Sequence, residues 1–306
     1  MDKATLIVMC GLPASGKSTQ SKILSEKFNA KIHASDEIRK ELNITEETKE
    51  SNAEVFQLLH SRIKGDLKNG KNVIYDATNI NYKRRMNFLK ELSRIDCEKI
   101  CYFMATPYED CVKNNNKRES GIPEHVIKRM YKNIYIPQYF EGWDNIRIIW
   151  NFKENDFNVW SLFDKLDYIS QDNPHHSLTI GEHCRECCKN IGSDGKDNLL
   201  LSALLHDSGK AFCKDFKNSK GEITEHAHFF QHHLVSAYMA LFYLEGEHKI
   251  ANNEMLEICK LITWHMQPHF IETDKQINKY KKLLGEEFWN DLMILHEADI
   301  KAKNKN

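Results

Sequence analysis

Two rhythms of apolar and polar residues divide the chain near its middle. In the first half, short apolar β-branched runs alternate with stretches of helical periodicity. Residues Thr5–Cys10 (TLIVMC) read as a strand buried in a parallel sheet, and QSKILSEKF, a few residues on, reads as a helix. A short strand is predicted at Lys31–Ala34, followed by a helix in SDEIRKEL for which Ser35 is the expected N-cap. Val73–Asp76 is a further strand, leading through a loop to a helix with Arg84 and Arg85 near its start, and KICYFMATP holds another buried strand. The segment EDCVKNNNKRESGIPEHVIKRMYKNI is basic and polar with helical flanks, as expected of a mobile lid. Residues 151–165 read as a connector with a short helix. From Tyr168 onward the pattern is helical throughout, with no convincing alternating strand. The expected organisation is an α/β domain over 1–152 (a parallel sheet flanked by helices), a linker at 153–166, and an all-α bundle over 167–306.

Composition sharpens this division. The whole chain has 306 residues and a formal charge of −1, with 41% apolar and 28% charged residues, so wholesale disorder is not expected. The near-zero charge conceals a polarity: residues 1–152 carry 25 Lys and Arg against 20 Asp and Glu, whereas residues 153–306 carry 18 against 24. Three of the 15 histidines precede residue 153 and 12 follow it. A mildly basic half and an acidic, His-rich half point to two chemistries. Nine scattered cysteines are an odd number in a chain too long for a disulfide-stapled mini-domain. The run from Thr5 to Gly11 leads straight into a motif rather than reading as a signal peptide, and no apolar run approaches the ~20 residues of a bilayer span. A reduced, cytoplasmic location with no membrane partner is the expectation.

The first motif is GLPASGKST, which places Gly11, Gly16, Lys17 and Ser18 in the pattern G-x-x-x-x-G-K-[ST]. Strand, Gly-rich loop and helix in that order are the context of a phosphate-binding loop, in which backbone N–H groups and a helix N-terminus surround phosphate oxygens. Gly11, Ala14, Ser15, Gly16, Lys17, Ser18 and Thr19 therefore form the expected ATP cradle, with Lys17 reaching the β/γ-phosphates and Ser18 ligating Mg²⁺. Asp36 and Arg39, three residues apart on one helical face, can address a single acceptor: the carboxylate takes a hydroxyl proton and the guanidinium holds an anionic group. Asp76 sits at a strand's carboxyl end, where open α/β sheets bind ligands. Lys117 and Arg118 are placed in the lid to supply charge during phosphoryl transfer.

Through GLPASGKST, SDEIRK, ATNINYKRR, VKNNNKR and VIKRMYKNI, about half the chain resembles the kinase domain of bacteriophage polynucleotide 5′-hydroxyl kinase and its relatives among small P-loop kinases. The resemblance implies Asp36 as general base, Arg39 on the acceptor's phosphate and Arg118 on the donor phosphates. The chain departs from that pattern at Asn114, where the phage enzyme carries a second lid arginine, and at Ala77, where it has an aspartate, with Asp76 one place earlier.

In the second half, LLLSALLHDSGK delivers His206 and Asp207 together at the end of an apolar helix. His183 lies 23 residues upstream of His206, His232 lies 26 downstream, His265 33 further and Asp299 34 beyond that. Such intervals are helix-plus-loop repeats, so each residue can project inward from a different helix of a bundle. Imidazole and carboxylate together suit Mn²⁺, Fe²⁺, Co²⁺, Ni²⁺ or Zn²⁺, and a bridging carboxylate favours two ions. Lone histidines such as His60, His125 and His248 are read as ordinary core or surface residues, and Cys184, Cys187 and Cys188 as helical packing residues.

The order H…HD…D resembles the HD phosphohydrolase superfamily, over about residues 168–303. The resemblance implies His183, His206, Asp207 and Asp299 as the ligands of one metal, with Asp207 bridging to a second held by His232 and His265, and Lys210 facing the substrate phosphate. His226, His228 and His233 compete with His232, and His176 is a weaker substrate contact. The fold expected from both resemblances is an α/β P-loop kinase domain followed by an all-α HD-type helical bundle. The expected activity is bifunctional end processing of nucleic acid, RNA favoured over DNA, in the manner of RNA repair. An ATP-dependent 5′-hydroxyl kinase would be joined to a metal-dependent phosphodiesterase or phosphatase acting on 2′,3′-cyclic phosphate or 3′-phosphate ends, with a ligase acting downstream. The alternative is a nucleoside or metabolite kinase fused to an HD nucleotidase. A third reading is a nucleotide sensor that binds without turnover.

Overall fold

A computed structural model describes residues 3–45, 48–153, 157–174, 176–248 and 250–303. The chain separates into two compact units, one formed by residues up to Met130 together with Pro137–Asn151, the other by Tyr131–Ile136 and the chain from Phe152 onward.

The first unit is built on five parallel strands. Ala4–Cys10 (β1) is buried at every position, as expected of a central strand covered on both faces. Helix Lys17–Phe28 (α1) follows, then Lys31–Ala34 (β2), Ser35–Glu41 (α2) and Lys49–Lys68 (α3). Val73–Asp76 (β3), Tyr82–Glu91 (α4), Cys97–Ala105 (β4), Tyr108–Asn116 (α5), Glu124–Tyr131 (α6) and Asn145–Trp150 (β5) complete the unit's run of elements. The sheet order is β2-β3-β1-β4-β5, with Val8 opposite Tyr75 on one side and Cys101 on the other. Strand order reverses at β1, so the loop after it opens at the switch point of the sheet. Ala34 pairs with Asp76, which sets the start of α2 beside the end of β3. Strand β2 runs into α2 without a loop. The N-cap is therefore Ala34, and Ser35 becomes the first helical residue rather than the expected cap.

A buried ion pair supports the base of this edge. Arg85 Nε donates to Glu141 Oε2 and Arg85 Nη2 to Glu141 Oε1, each at 2.6 Å, while Arg85 Nη1 donates to the Asn79 carbonyl at 2.7 Å. Asn79 adopts a left-handed conformation (φ 47°), and its amide donates to the Met9 carbonyl at the end of β1. The Trp143 indole also donates to Glu141 Oε2 at 3.1 Å, and the Gln138 backbone N–H to Glu141 Oε1 at 3.1 Å. Breaking such a pair leaves a buried charge uncompensated, which costs about 3–5 kcal/mol. Glu141→Ala is expected to lower first-unit stability by that amount in urea denaturation, and Arg85→Met with Glu141→Leu to recover much of the loss. Equal destabilisation by the single and double variants would show that the charge balance is immaterial.

The second unit is mainly helical. Val159–Leu166 (α7) occupies most of the expected linker, with Val159, Leu162, Phe163 and Leu166 buried and Asn158 capping it; residues 154–156 of that linker lie outside the described residues. Ile180–Ile191 (α8), Asp197–Leu205 (α9), Lys210–Cys213 (α10), His232–His248 (α11), Asn252–Trp264 (α12), Asp274–Leu284 (α13) and Glu286–Lys301 (α14) supply the helices. Helices α8, α9 and α14 pack together, and α9 and α11 both pack against α12. Tyr238, Phe242, Leu241 and Ile262 are among the residues of the core. Between α10 and α11, where only helix was expected, Asp215–Lys217 (β6) pairs antiparallel with Ile223–His228 (β7). A turn at Asn218–Gly221, with Gly221 at φ 84°, closes this hairpin, and its strands bury little besides Ala227. All nine cysteines are free thiols, Cys184 and Cys187 buried and Cys188 half-buried. Among the described residues, no helix is long and apolar enough to cross a membrane.

Candidate active sites

In the first unit, the loop after β1 wraps the N-terminus of α1. Gly11 has φ 152°, and a Cβ there would lie 2.9 Å from Ser15 Oγ and 3.0 Å from Met104 Cβ, so this position excludes a side chain. Its N–H donates to the Thr78 carbonyl, which ties the loop to the end of β3. Ala14 is left-handed (φ 59°), Gly16 caps α1, and Thr106 donates to the Ser15 carbonyl at 3.0 Å. Lys17 is buried within the curl of the loop, donating to the carbonyls of Leu12 at 2.6 Å and Gly11 at 3.2 Å. Burial lowers the Lys17 pKa, and the charge of Asp76 opposes that shift. Ser18 and Thr19 follow in the first turn of α1.

Asp76 extends the set anticipated for phosphate binding. It is buried, faces Lys17 and Ser18, and has its pKa raised by burial, with Lys17 pulling the other way and Asp36 adding to the rise. Asp36 is exposed at the start of α2, and Arg39 is half-buried with Nη2 donating to Asn52 Oδ1 of α3 at 2.6 Å. Asn52 thus orients the guanidinium, a contact that nothing in SDEIRK reveals. Arg118 and Lys117 are exposed at the end of α5; Arg118 is close enough to contribute to lowering the Lys17 pKa. Asn114, which stands where the phage kinase has arginine, donates to the Ala14 carbonyl at 3.4 Å and so touches the loop without adding charge. Of the two arginines at the start of α4, Arg85 is consumed by Glu141 and Arg84 is exposed.

In the second unit, six residues from five elements converge. His183 comes from α8, His206 and Asp207 from the end of α9, His232 from the start of α11, His265 from the end of α12 and Asp299 from α14. All six are buried. They form two overlapping sets, His183–His206–Asp207–Asp299 and Asp207–His232–His265, the chosen ligand atoms of each lying within 4.8 Å of one another.

The four imidazoles share one orientation. Each Nδ1 meets a backbone carbonyl: Ala302 for His183 at 3.1 Å, Ala203 for His206 at 2.8 Å, Phe229 for His232 at 2.8 Å and Ile262 for His265 at 2.7 Å. A carbonyl only accepts, so each Nδ1 carries the proton and each Nε2 presents a lone pair inward. His183 Nε2 lies 2.9 Å from Asp299 Oδ1 and 3.3 Å from Asp207 Oδ2; His232 Nε2 lies 3.2 Å from Asp207 Oδ1. His232 Nε2 and His265 Nε2 stand 3.3 Å apart. Two acceptors at that distance, beside the Asp207 carboxylate, are a donor set for a cation. His206 Nε2 and Asp207 Oδ1 are moreover buried without a hydrogen-bond partner. Such orphaned atoms cost stability unless something satisfies them, and these residues fit a pair of divalent ions. Burial opposes an imidazolium at His206, yet the adjacent Asp207 and Asp299 raise its pKa to about 10, so a cation bound at Nε2 would take the place of a proton there. The same contacts hold both carboxyls well below the usual range against burial.

Lys210 Nζ bonds Asp207 Oδ2 at 2.6 Å and Gln171 Oε1 at 2.8 Å. The turn that carries it packs against α11: a Cβ on Gly209 would lie 2.6 Å from Ser236 N and 2.7 Å from the His232 carbonyl. His269, not anticipated as part of the site, reaches Asp299 Oδ2 at 3.3 Å and stacks edge-on to His296 at 4.4 Å. It stands in a 3-10 turn after α12, and only its proximity in space distinguishes it from other histidines. The His176 ring lies 5.3 Å from His183, with a pKa lowered to about 3 by burial and by Lys210. Of the competitors to His232, His226 is exposed, His228 bonds Thr224, and His233 has a pKa lowered to about 3 by burial and by His232. None belongs to either donor set. The cluster opens into a cavity of about 540 Å³.

Comparison with known proteins matches residues 6–137 to an AAA domain family and residues 175–303 to the HD domain family. The L-seryl-tRNA(Sec) kinase of Methanococcus maripaludis is 28% identical over 236 residues, covering 71% of this chain and 92% of that protein. Protein kti12 of Schizosaccharomyces pombe is 28% identical over 153 residues, covering 46% of this chain and 54% of its own length, so this chain spans about half of that relative. Among solved structures, a chain of the Pnkp1/Rnl/Hen1 RNA repair complex is 22% identical with a TM-score of 0.36, covering 42% of this chain and 43% of that one. The five-stranded parallel sheet with its phosphate-binding loop thus has the P-loop kinase fold, and the helical His–Asp unit that follows is similar to the HD domain family.

Proposed function

We propose that the chain processes the ends of RNA with two independent active sites. The first transfers the γ-phosphate of ATP to a hydroxyl on the RNA, with the 5′-hydroxyl end as the leading acceptor. The second hydrolyses a phosphoester at the other end, a 2′,3′-cyclic phosphate or a 3′-phosphate. The observation that carries this reading is the presence of two complete constellations on one chain, Lys17–Ser18–Asp76 with Asp36 and Arg39, and the six-residue His–Asp cluster. A break that leaves a 5′-hydroxyl and a cyclic phosphate requires both chemistries before a ligase can seal it. An RNA-linked acceptor is further supported by the relative named for a seryl-tRNA substrate. RNA is favoured over DNA on the same ground, and the reaction is assigned to the cytoplasm because all nine cysteines are free.

At the kinase site, Asp36 takes the proton of the attacking hydroxyl while Arg39, held by Asn52, fixes an anionic group of the acceptor. The loop N–H groups with Lys17 would hold the donor phosphates, Ser18 and Asp76 would hold Mg²⁺, and Arg118 would add positive charge from the lid. At the HD site, bound divalent cations would supply Lewis acidity and lower the pKa of a water. The chain's own part is to hold the four Nε2 atoms and two carboxylates in place through backbone carbonyls, and to set the Lys210 ammonium beside Asp207 to receive a phosphoryl oxygen.

End-labelled RNA bearing a 5′-hydroxyl and a 2′,3′-cyclic phosphate, incubated with ATP, Mg²⁺ and Mn²⁺, should change at both ends. No change at either end rejects the reading. A second reading follows from the seryl-tRNA kinase relative: the acceptor hydroxyl belongs to an aminoacyl group on tRNA rather than to a 5′ end. Phosphate appearing on seryl-tRNA, and none on 5′-hydroxyl RNA, would select it. A small-molecule kinase fused to a nucleotidase is separated by salt. Affinity for a polyanionic acceptor held through several phosphates should fall steeply between 50 and 200 mM salt, by roughly 0.7 decades per phosphate contact for each decade of salt, whereas a nucleoside acceptor is insensitive.

A further inference from the structure

The cavity beside the His–Asp cluster is larger and more aromatic than a phosphate requires. Its volume, about 540 Å³, lies within the range of about 300–1,000 Å³ that encloses a whole small ligand. Asp207, Lys210, His232 and His265 form part of its wall. The rest of the wall includes Phe229, Phe230, Met266 and Phe270. Phe230 is 47% exposed and Phe270 65% exposed, so two large rings stand open on the wall of a site built otherwise for anions.

Phe230 is held in place. The His228 ring lies parallel to Phe230, with centroids 5.3 Å apart and 4° between planes, and His228 Nε2 meets Thr224 Oγ1 at 3.1 Å within β7. Gln231, next in the chain, adopts φ 66°, a conformation that a residue with a side chain rarely takes. That turn places Phe230 on the cavity wall and His232 in the donor set in consecutive steps. The hairpin absent from the helical reading therefore ends on this wall.

We propose that Phe230 and Phe270 form a nucleobase subsite, so that the HD site takes a phosphoester of a nucleotide and stacks its base while the phosphate lies against Lys210 and the cluster. This rests on the phosphohydrolase reading above and adds the identity of the leaving portion of the substrate. Every base offers a π-face, so such a platform accepts any sequence, and the same chemistry is supplied by a free nucleotide or by the last nucleotide of a strand.

The test uses the full chain loaded with Mn²⁺, without ATP, and follows hydrolysis of nucleoside 2′-, 3′- and 2′,3′-cyclic phosphates against the baseless esters ribose 5-phosphate, glycerol 2-phosphate and glycerol cyclic phosphate. KM for the nucleotides should lie about 10-fold or more below that of the matching baseless esters. Phe230→Ala and Phe270→Ala should each remove most of that difference, leave kcat on baseless esters unchanged, and be rescued by Trp at either position. Equal KM for both classes, or variants that alter both classes alike, overturns the subsite while leaving phosphoester hydrolysis standing. Hydrolysis of neither class rejects the phosphohydrolase reading and the subsite with it. An oligonucleotide carrying the same terminal ester separates the sources: a further fall in KM identifies a strand end, an equal KM a free nucleotide, and the platform stands in either case.

Discussion

Asp36→Asn is expected to reduce phosphoryl transfer by roughly 10²–10⁴-fold, the usual contribution of a general base, with hydrolysis at the HD site unchanged. The substitution keeps the size and shape of the side chain and removes its capacity to take a proton. Asp36 is exposed on the first turn of α2 and carries no core packing, so the variant should fold as the parent does. Its position nevertheless follows from the sheet. Ala34 pairs with Asp76, and β2 passes directly into α2, which brings Asp36 within electrostatic reach of the Asp76 carboxyl beside Lys17 and Ser18. Neutralising Asp36 also removes a negative charge that raises the Asp76 pKa, so Mg²⁺ and ATP binding should be retained or slightly improved. The expected kinetic signature is therefore a fall in kcat with ATP KM nearly constant. Lys17→Ala should differ, raising ATP KM as well, because Lys17 stands inside the loop. Loss of hydrolysis together with phosphorylation in Asp36→Asn would contradict two independent sites.

Local patterns in the chain express much of this arrangement. GLPASGKST is legible because its requirement is a backbone path, and a glycine at residue 11 is demanded by Ser15 and Met104 close to it. The six-residue cluster is legible because His183, the adjacent pair His206–Asp207, His232, His265 and Asp299 come from five different helices at helix-plus-loop spacing. What escapes the pattern depends on contacts distant along the chain. Arg84 and Arg85 are adjacent and chemically alike, and only Glu141, 56 residues away, makes one a buried support and leaves the other exposed. His269 gains its relation to the site from Asp299, 30 residues on. The β6–β7 hairpin shows no alternating apolar face, since Ile223 is 83% exposed and Ala227 alone of its strand is buried; its register is set by the turn at Asn218–Gly221 instead. Asp76 is visible as a residue at a strand end, but its partnership with Lys17 and Ser18 arises from sheet order.

Asp207→Asn is expected to abolish hydrolysis while leaving phosphorylation intact, with a loss of roughly 10³-fold or more, because several kcal/mol of Lewis-acid stabilisation disappears at 1.36 kcal/mol per decade. Asp207 is the one residue shared by both donor sets, with Oδ2 facing His183 and His206 and Oδ1 facing His232 and His265. An amide offers one oxygen in place of two and no charge, so neither set keeps its full complement. Direct metal analysis after dialysis should therefore show fewer ions per chain, and Mn²⁺ should lose its stabilising effect. For the parent protein that effect should approach about 2.7 kcal/mol when free metal is 100 times the dissociation constant. His183→Ala removes a ligand from one set only, and should leave the second set's ion in place at reduced activity. Lys210 distinguishes loss of metal from loss of charge. Its ammonium bonds Asp207 and Gln171 but belongs to neither donor set, so Lys210→Met should lower hydrolysis while the metal content stays that of the parent. Full metal loading and full hydrolysis in Asp207→Asn would place the phosphohydrolase chemistry elsewhere in the chain.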